Sequence, residues 1–343
     1  MAWSSCTGAS RIGWLNMREL CAYAAHWRHG TFGWPSALVL SRWVNRLRQN
    51  MGLLLVGFIG VALVGHAAWA ATPSVVRDDR GEVVGLKRAP QRIVTLMPAL
   101  AESVCALGAC SRLVGTDRFA NWPASVLALP KLGGMDDVSL EALVRLKPDL
   151  VLLGRSARLL PRLVVLGIPV MALEPHNQAQ VQNSLQRLAV VLGLPEPEQR
   201  AAQVWLHVQA QLAQARNAMP PQAMGASVYF EAGSGGYAAG DSSFIGELIT
   251  ALGLRNVVPT NLGPFPQLSP EWVLRHQPDL IMMGEPSLDP LQRRPGWAQL
   301  GAVQHGRVCQ FSAEQGDVLV RPGPRLGEAA LLMAQCAQRS WKP

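Results

Sequence analysis

The chain has 343 residues, 49% of them hydrophobic and 16% charged, which suits a well-packed protein and leaves room for two domains of ordinary size. Its formal charge of +8 overstates any attraction to acidic partners. Residues 1–70 hold six of the 31 Lys and Arg and one of the 23 Asp and Glu, so the rest carries 25 against 22, a balance too weak and too scattered for a nucleic-acid footprint.

Residues 51–70 contain no Asp, Glu, Lys or Arg, and Arg42, Arg46 and Arg48 precede them as a basic lead-in. Ala68-Trp69-Ala70 fits an A-x-A cleavage site. A signal peptide removed after Ala70, with Ala71 first in an exported periplasmic protein, is the expectation. A retained anchor is the other reading, since about 20 apolar residues span a bilayer. No Cys follows the apolar run, which argues against a lipoprotein. Residues 1–50 are Trp-rich without a clear period and are set aside from the fold. Export permits disulfides among Cys105, Cys110, Cys309 and Cys336. Cys105 and Cys110 flank the turn at Gly108 and either close a small loop or stay as buried thiols. No second Cys or His pair stands at ligand spacing, so no metal site is expected.

Residues 92–96 read as a strand ended by Pro98. Residues 100–107 follow as a helix, with Glu102 in its first turn complementing the dipole and Gly108 as C-cap. A strand at 112–115, a loop at 119–123 and another at 132–135 come next. Ser139 then caps a helix with Glu141 in its first turn, and residues 149–153 form a buried strand. A helix at 159–166, a strand at 167–173 and a helix at 179–192 continue the alternation of βαβ units. Residues 195–219 differ in kind. They contain no Gly, place Val204, Val208 and Leu212 on one face, and stop at Pro220-Pro221. One helix about 30 Å long is expected there.

After a strand at 226–230, residues 231–243 read as a Gly-rich loop, and 244–252 as a helix. The segment 268–284 then repeats 138–154 at an offset of 130, with seven of seventeen positions identical: Ser139/Ser269, Glu141/Glu271, Arg145/Arg275, Pro148/Pro278, Asp149/Asp279, Leu150/Leu280 and Gly154/Gly284. Each copy reads as a capped helix, a Pro-Asp turn and a buried strand, so two matched α/β lobes are expected with a ligand in the cleft between them. A strand at 306–311 and a final helix after Arg321-Pro322-Gly323-Pro324-Arg325 close the chain.

Arg92-Ile93-Val94-Thr95-Leu96-x-Pro98, Ala106-Leu107-Gly108, Leu113-Val114-Gly115, both Pro-Asp-Leu repeats, Gly167-Ile168-Pro169-Val170, Gly306-Arg307-Val308 and the Arg321–Arg325 motif stand in an order that resembles the periplasmic solute-binding proteins of ABC importers for vitamin B12, haem and iron–siderophore complexes. The resemblance runs from about Lys87 to the C-terminus. It implies a class III binding protein with two Rossmann-like lobes joined by a single long backbone helix: an N-terminal lobe at 87–194, the bridge at 195–220 and a C-terminal lobe at 225–343, after an extension and signal peptide at 1–70. It implies little closure on ligand binding, a monomer without a cofactor of its own, and Glu141 and Glu271 as the acids that dock an inner-membrane permease dimer. The other reading of these acids is local helix-dipole complementation.

Ligand groups are expected on loops after the strands' C-terminal ends: Met97, Pro98, Phe119, Asn121, Trp122, Gly134 and Met135 in the first lobe; Tyr237, Asp241, Phe265, Glu314 and Arg321 in the second. Trp122, Tyr237 and Phe265 offer flat faces to a macrocycle. His176 reads as a residue of an exposed strand-end loop, and His276 as half-buried on its helix. Few cations fall near these loops, so a corrinoid is the expected ligand, with iron–siderophore and haem as alternatives. A chelatase-like α/β enzyme is the rival of another class; no G-x-S-x-G elbow, G-x-G-x-x-G or Walker loop supports it. A membrane-anchored interaction module that keeps residues 51–70 is the third reading.

Overall fold

The structure is a computed structural model, described for residues 74–284, 291 and 294–341. The expected signal peptide and its cleavage site lie outside the described residues. A hairpin of β1 (Ser74–Arg77) and β2 (Val83–Leu86) comes first, in a stretch the sequence left unassigned. Next come β3 (Ile93–Thr95), α1 (Pro98–Ala106), β4 (Leu113–Thr116), α2 (Leu140–Arg145), β5 (Leu150–Leu153), α3 (Leu160–Val165), β6 (Val170–Ala172) and α4 (Gln178–Val191). The bridging helix α5 is Pro197–Asn217. Beyond it lie β7 (Ser227–Gly233), β8 (Tyr237–Ala238), α6 (Phe244–Ala251), β9 (Arg255–Asn256), α7 (Pro270–His276), β10 (Leu280–Met283), α8 (Gly301–Gln304), β11 (Val308–Gln310), α9 (Ala313–Val320) and α10 (Leu326–Ser340). Among the described residues no helix is long and apolar enough to cross a membrane.

The first sheet has the parallel order β4-β3-β5-β6. In the second, β9, β7, β10 and β11 run parallel in the corresponding order, and β8 is an antiparallel addition to β7. The duplication read in 138–154 and 268–284 is therefore a duplication of topology. Both copies are held alike. Ser139 Oγ accepts from Ala142 N and Ser269 Oγ from Trp272 N, capping α2 and α7. Lys147 and Gln277 take left-handed conformations (φ 45° and 41°) just before each Pro-Asp.

Alternate strand residues face different cores, as a period of two requires. Ile93, Leu150, Leu152 and Met171 of the first sheet join Val228, Phe230, Leu280 and Met282 of the second in one core that continues through Val208 of α5 and Ala330 and Met333 of α10. Val94, Val151 and Leu153 instead pack under α2 and α3 through Leu143 and Leu163. Tyr229, Ile281 and Met283 pack with Val273 of α7 and Trp297. The bridge thus sits in a core shared by both lobes, with α10 and α4 as its main partners. Trp205, Val208 and Ala215 bury its inner stripe, while Val204 and Leu212 are half-buried beside it.

One local expectation changes and one open alternative is decided. Residues 231–243 are not all loop. Strand β7 runs on to Gly233 and pairs with β8 across Gly235 and Gly236, both at φ +82°. Glycine is required at 236, where a Cβ would sit 2.5 Å from the Leu268 carbonyl oxygen. The cysteines form two disulfides, Cys105–Cys110 and Cys309–Cys336.

Candidate functional site

In each sheet the chain leaves the first strand to one side and returns on the other, so β3 and β7 mark the points where strand order reverses. Ligands of open α/β sheets bind off the C-terminal ends of strands at such points. A cavity of about 510 Å³ lies there. Met97 enters it after β3, Glu174 and His176 after β6, and Ala232 to Ser234 from the end of β7. Tyr237 of β8, Phe244 and Phe265 supply aromatic surface, and Val320 and Pro322 complete the wall. Among the described residues Glu174 is the only charged side chain lining it.

Each aromatic group has a cause for its position. The turn after β7 packs on the 264–268 segment, where Ala238 N donates to Pro266 O and Gln267 Nε2 donates to Gly235 O. These bonds bring Tyr237, half-exposed at the hairpin, beside Phe265. The Phe265 ring rests on buried Phe244 at 5.7 Å between centroids. Phe244 N in turn donates to His176 O at 2.6 Å, and Gln178 N to Glu247 Oε2 at 2.6 Å. These bonds tie the two lobes at one end of the cavity.

A second tie sits at the first strand's loop. Arg321, at the end of α9, reaches Glu102 on α1. It also donates to Asn121 Oδ1 and Phe119 O, while Asn121 Nδ2 donates to Asp317 Oδ2. Burial pushes the Glu102 carboxyl above its usual range, against the lowering effect of Arg321. Glu102 is therefore not a first-turn dipole acid. It lies a full turn into α1, completely buried, and serves as the anchor of an inter-lobe ion pair.

The expected ligand residues divide accordingly. The structure brings Met97, Tyr237 and Phe265 together in the cavity. Pro98 is the first residue of α1, directly behind Met97. Asn121 is taken up by Arg321 and Asp317. Phe119 is exposed, with Gly134 beside its ring and Met135 exposed further out. Arg118, the cation next to Phe119 in this loop, is engaged by Asp137. Asp241 is bound through its backbone to Val258, and Glu314 accepts from the Ser312 hydroxyl at the start of α9. Trp122 points elsewhere. The Arg325 guanidinium lies 4.7 Å from its ring centre, and the two help line a separate cavity of about 460 Å³ against Val204 and His207 of the bridge. Attraction between the guanidinium and the indole face, together with the capture of neighbouring Asn121, turns this loop toward the bridge. The Lys131 ammonium fixes the same loop by donating to the Thr116 hydroxyl and to Ala120 O and Val126 O.

The sequence reading missed Glu174, Pro175, Phe244, Val320 and Pro322, and took His176 for a residue of an exposed strand-end loop. For residues 174–176 the available signal was their position after β6, a strand the sequence did show. His276 is exposed, its ring stacked 3.6 Å from that of Trp272. Glu141 and Glu271 are exposed on the first turns of α2 and α7, at matching places in the two lobes. Glu141 accepts from Arg145 at 3.0 Å. The Ser269 hydroxyl holds the Glu271 carboxyl below the usual range.

A family model described as "Periplasmic binding protein" matches residues 93–314. The chain belongs to the periplasmic binding protein family. Members are transport substrate-binding proteins, not enzymes, and the fold is that of a class III binding protein. The ABC transporter substrate-binding lipoprotein YvrC of Bacillus subtilis is 27% identical, over 77% of this chain and 85% of its own. The vitamin B12-binding protein of Pectobacterium carotovorum is 28% identical, over 73% and 88%. Among solved structures, the periplasmic haem-binding protein RhuT from Roseiflexus sp. RS-1 superposes with a TM-score of 0.61 at 26% identity, covering 74% of this chain and 99% of that one. The family's role is to bind a small ligand, vitamin B12 or haem in two of these relatives, and to dock with a membrane permease.

Proposed function

We propose that this protein captures a corrinoid in the cavity between its lobes and delivers it to an inner-membrane ABC permease. The observation that carries this reading is the cavity wall: Tyr237, Phe265, Phe244 and Met97 present apolar and aromatic surface, and among the described residues no Lys or Arg faces the ligand space. Anionic ferric siderophores, such as the catecholates, and the two propionates of haem require cationic partners to offset their desolvation. Arg321, one of the ligand residues expected from the sequence, is instead engaged by Glu102, Asn121 and Asp317. A cobalamin carries neutral amides around its ring and needs no such partner. The vitamin B12-binding relatives support the same reading.

Docking in this reading uses Glu141 and Glu271, one exposed acid per lobe at matching positions, each able to form charge-assisted bonds with arginines of a two-fold permease. Export after Ala70 would place the monomer in the periplasm.

Haem is the second reading, and a specific observation favours it. His176 and Tyr237 line the same cavity, and neither the imidazole nor the phenol has a hydrogen-bond partner among the described residues. Either side chain can ligate iron. Calorimetric titration of the purified protein with cyanocobalamin, haemin and a ferric siderophore separates the readings. One-to-one binding of cyanocobalamin below micromolar supports the corrinoid. Binding of haemin with a shifted Soret band, lost in Tyr237→Phe or His176→Ala, replaces it with haem.

A further inference from the structure

We infer that Glu174 is the side chain by which the cavity selects an uncharged, amide-bearing macrocycle over one bearing carboxylates, an inference that rests on the corrinoid reading above. Glu174 follows β6, and its backbone is held from below by the N-terminal hairpin. Glu174 N donates to Asp79 Oδ2 at 2.6 Å, Asp79 N donates to Ala172 O, and Arg187 Nη2 donates to Asp79 Oδ1 at 2.6 Å. The turn between β1 and β2 thus fixes the residue at the rim of the ligand space.

The carboxylate itself is only lightly engaged. Ser156 N donates to Oε2 at 3.1 Å and the Ser156 hydroxyl to Oε1 at 3.4 Å. No guanidinium or ammonium among the described residues pairs with it, whereas Glu102 and Glu231 are paired with Arg321 and Arg294. A carboxylate has about four lone-pair sites, so acceptor capacity remains on the side facing the cavity. Gly154 packs against Met97 beside Glu174. A Cβ there would lie 3.0 Å from Met97 Sδ and 3.8 Å from Glu174 Oε2.

The consequence is a sign rule. A ligand amide N–H facing Glu174 gains an acceptor. A ligand carboxylate facing it meets like charge in a partly enclosed space, where no counter-cation screens the pair. Discrimination of this kind arises from repulsion of the wrong ligand as much as from attraction of the right one.

Two probes share one ring and differ in one group: cyanocobalamin, and its monocarboxylic acid, in which one peripheral amide is a carboxylate. Each is titrated into wild type and Glu174→Gln, a change that keeps shape and removes charge, with thermal melting as the check on folding. The wild type is expected to bind the amide at least about tenfold more tightly than the acid, and Glu174→Gln to bring the two within about threefold. The absence of a gap in the wild type, or a gap that survives Glu174→Gln, overturns the role of Glu174 and leaves the corrinoid reading standing. Failure of the wild type to bind either corrinoid overturns the corrinoid reading, and this inference with it.

Discussion

Arg321 donates from Nη1 to Oε1 of Glu102 at 2.8 Å, joining the end of α9 in one lobe to α1 in the other, with both side chains buried. Removing one member of such a pair strands a charge, whereas replacing both by apolar groups is often close to neutral. Arg321→Met should therefore cost about 3–5 kcal/mol in urea unfolding, and Glu102→Met added to it should restore most of that loss. A double variant no more stable than the single one would deny the pair its role as a lock.

The same pair makes a pH prediction. Burial raises the Glu102 carboxyl, and Arg321 opposes the rise. In Arg321→Met the opposition is gone, so the folded state holds a proton on Glu102 more firmly than the unfolded state does. A raised acid stabilises the fold below the ordinary glutamate range and loses that contribution as pH rises. The Arg321→Met deficit relative to wild type should be smaller near pH 4 than at pH 8, read from urea midpoints at each pH.

Asp149 and Asp279 do the same work in the two lobes. Asp149 accepts from Gln91 N and Arg92 N just ahead of β3, and Asp279 accepts from Ser227 N and its hydroxyl at the start of β7. Desolvation raises the Asp279 carboxyl, but the Ser227 bonds outweigh it and the net shift is downward. A depressed acid contributes stability above the ordinary aspartate value of about 4 and loses it as pH falls through the folded value. Asp279→Ala should cost about 1–2 kcal/mol at pH 7, with the difference from wild type shrinking below pH 4 in acid unfolding.

Tyr237 and Phe265 line the cavity, whereas Trp122 stacks with Arg325 beside the bridge. Alanine at either of the first two should weaken corrinoid binding by about 1–3 kcal/mol, roughly five- to 150-fold. Trp122→Ala should leave affinity within about twofold while lowering the melting temperature. Calorimetry on the three variants checks this, and a large affinity loss confined to Trp122→Ala would move the ligand out of the proposed cavity.

Glu141→Ala combined with Glu271→Ala should leave ligand affinity unchanged, because both side chains are exposed on outer helices away from the cavity. Stimulation of permease ATPase activity in reconstituted vesicles should be lost. Retained stimulation would return both acids to a local helix-terminal role.

Much of this was legible locally. A capped Ser-x-Glu start, a Pro-Asp turn and an apolar run are properties of neighbouring residues, and they located α2 with β5 and α7 with β10. The bridge was legible because glycine is absent from 195–219 and prolines stand at both ends. The two-residue strand β8 was not, since a Gly-rich stretch becomes a strand only when β7 and Gln267 are there to pair with it. The sequence by itself determined the family, the duplicated α/β lobes and the helix between them, because period, caps and proline act within a few residues. Only the tertiary structure decided that Glu102 is a buried lock, that Trp122 faces the bridge and that Glu174 and His176 line the cavity. Each of those positions depends on partners remote in sequence: Glu102 and Arg321 stand 219 residues apart, and no local pattern encodes which charges will meet.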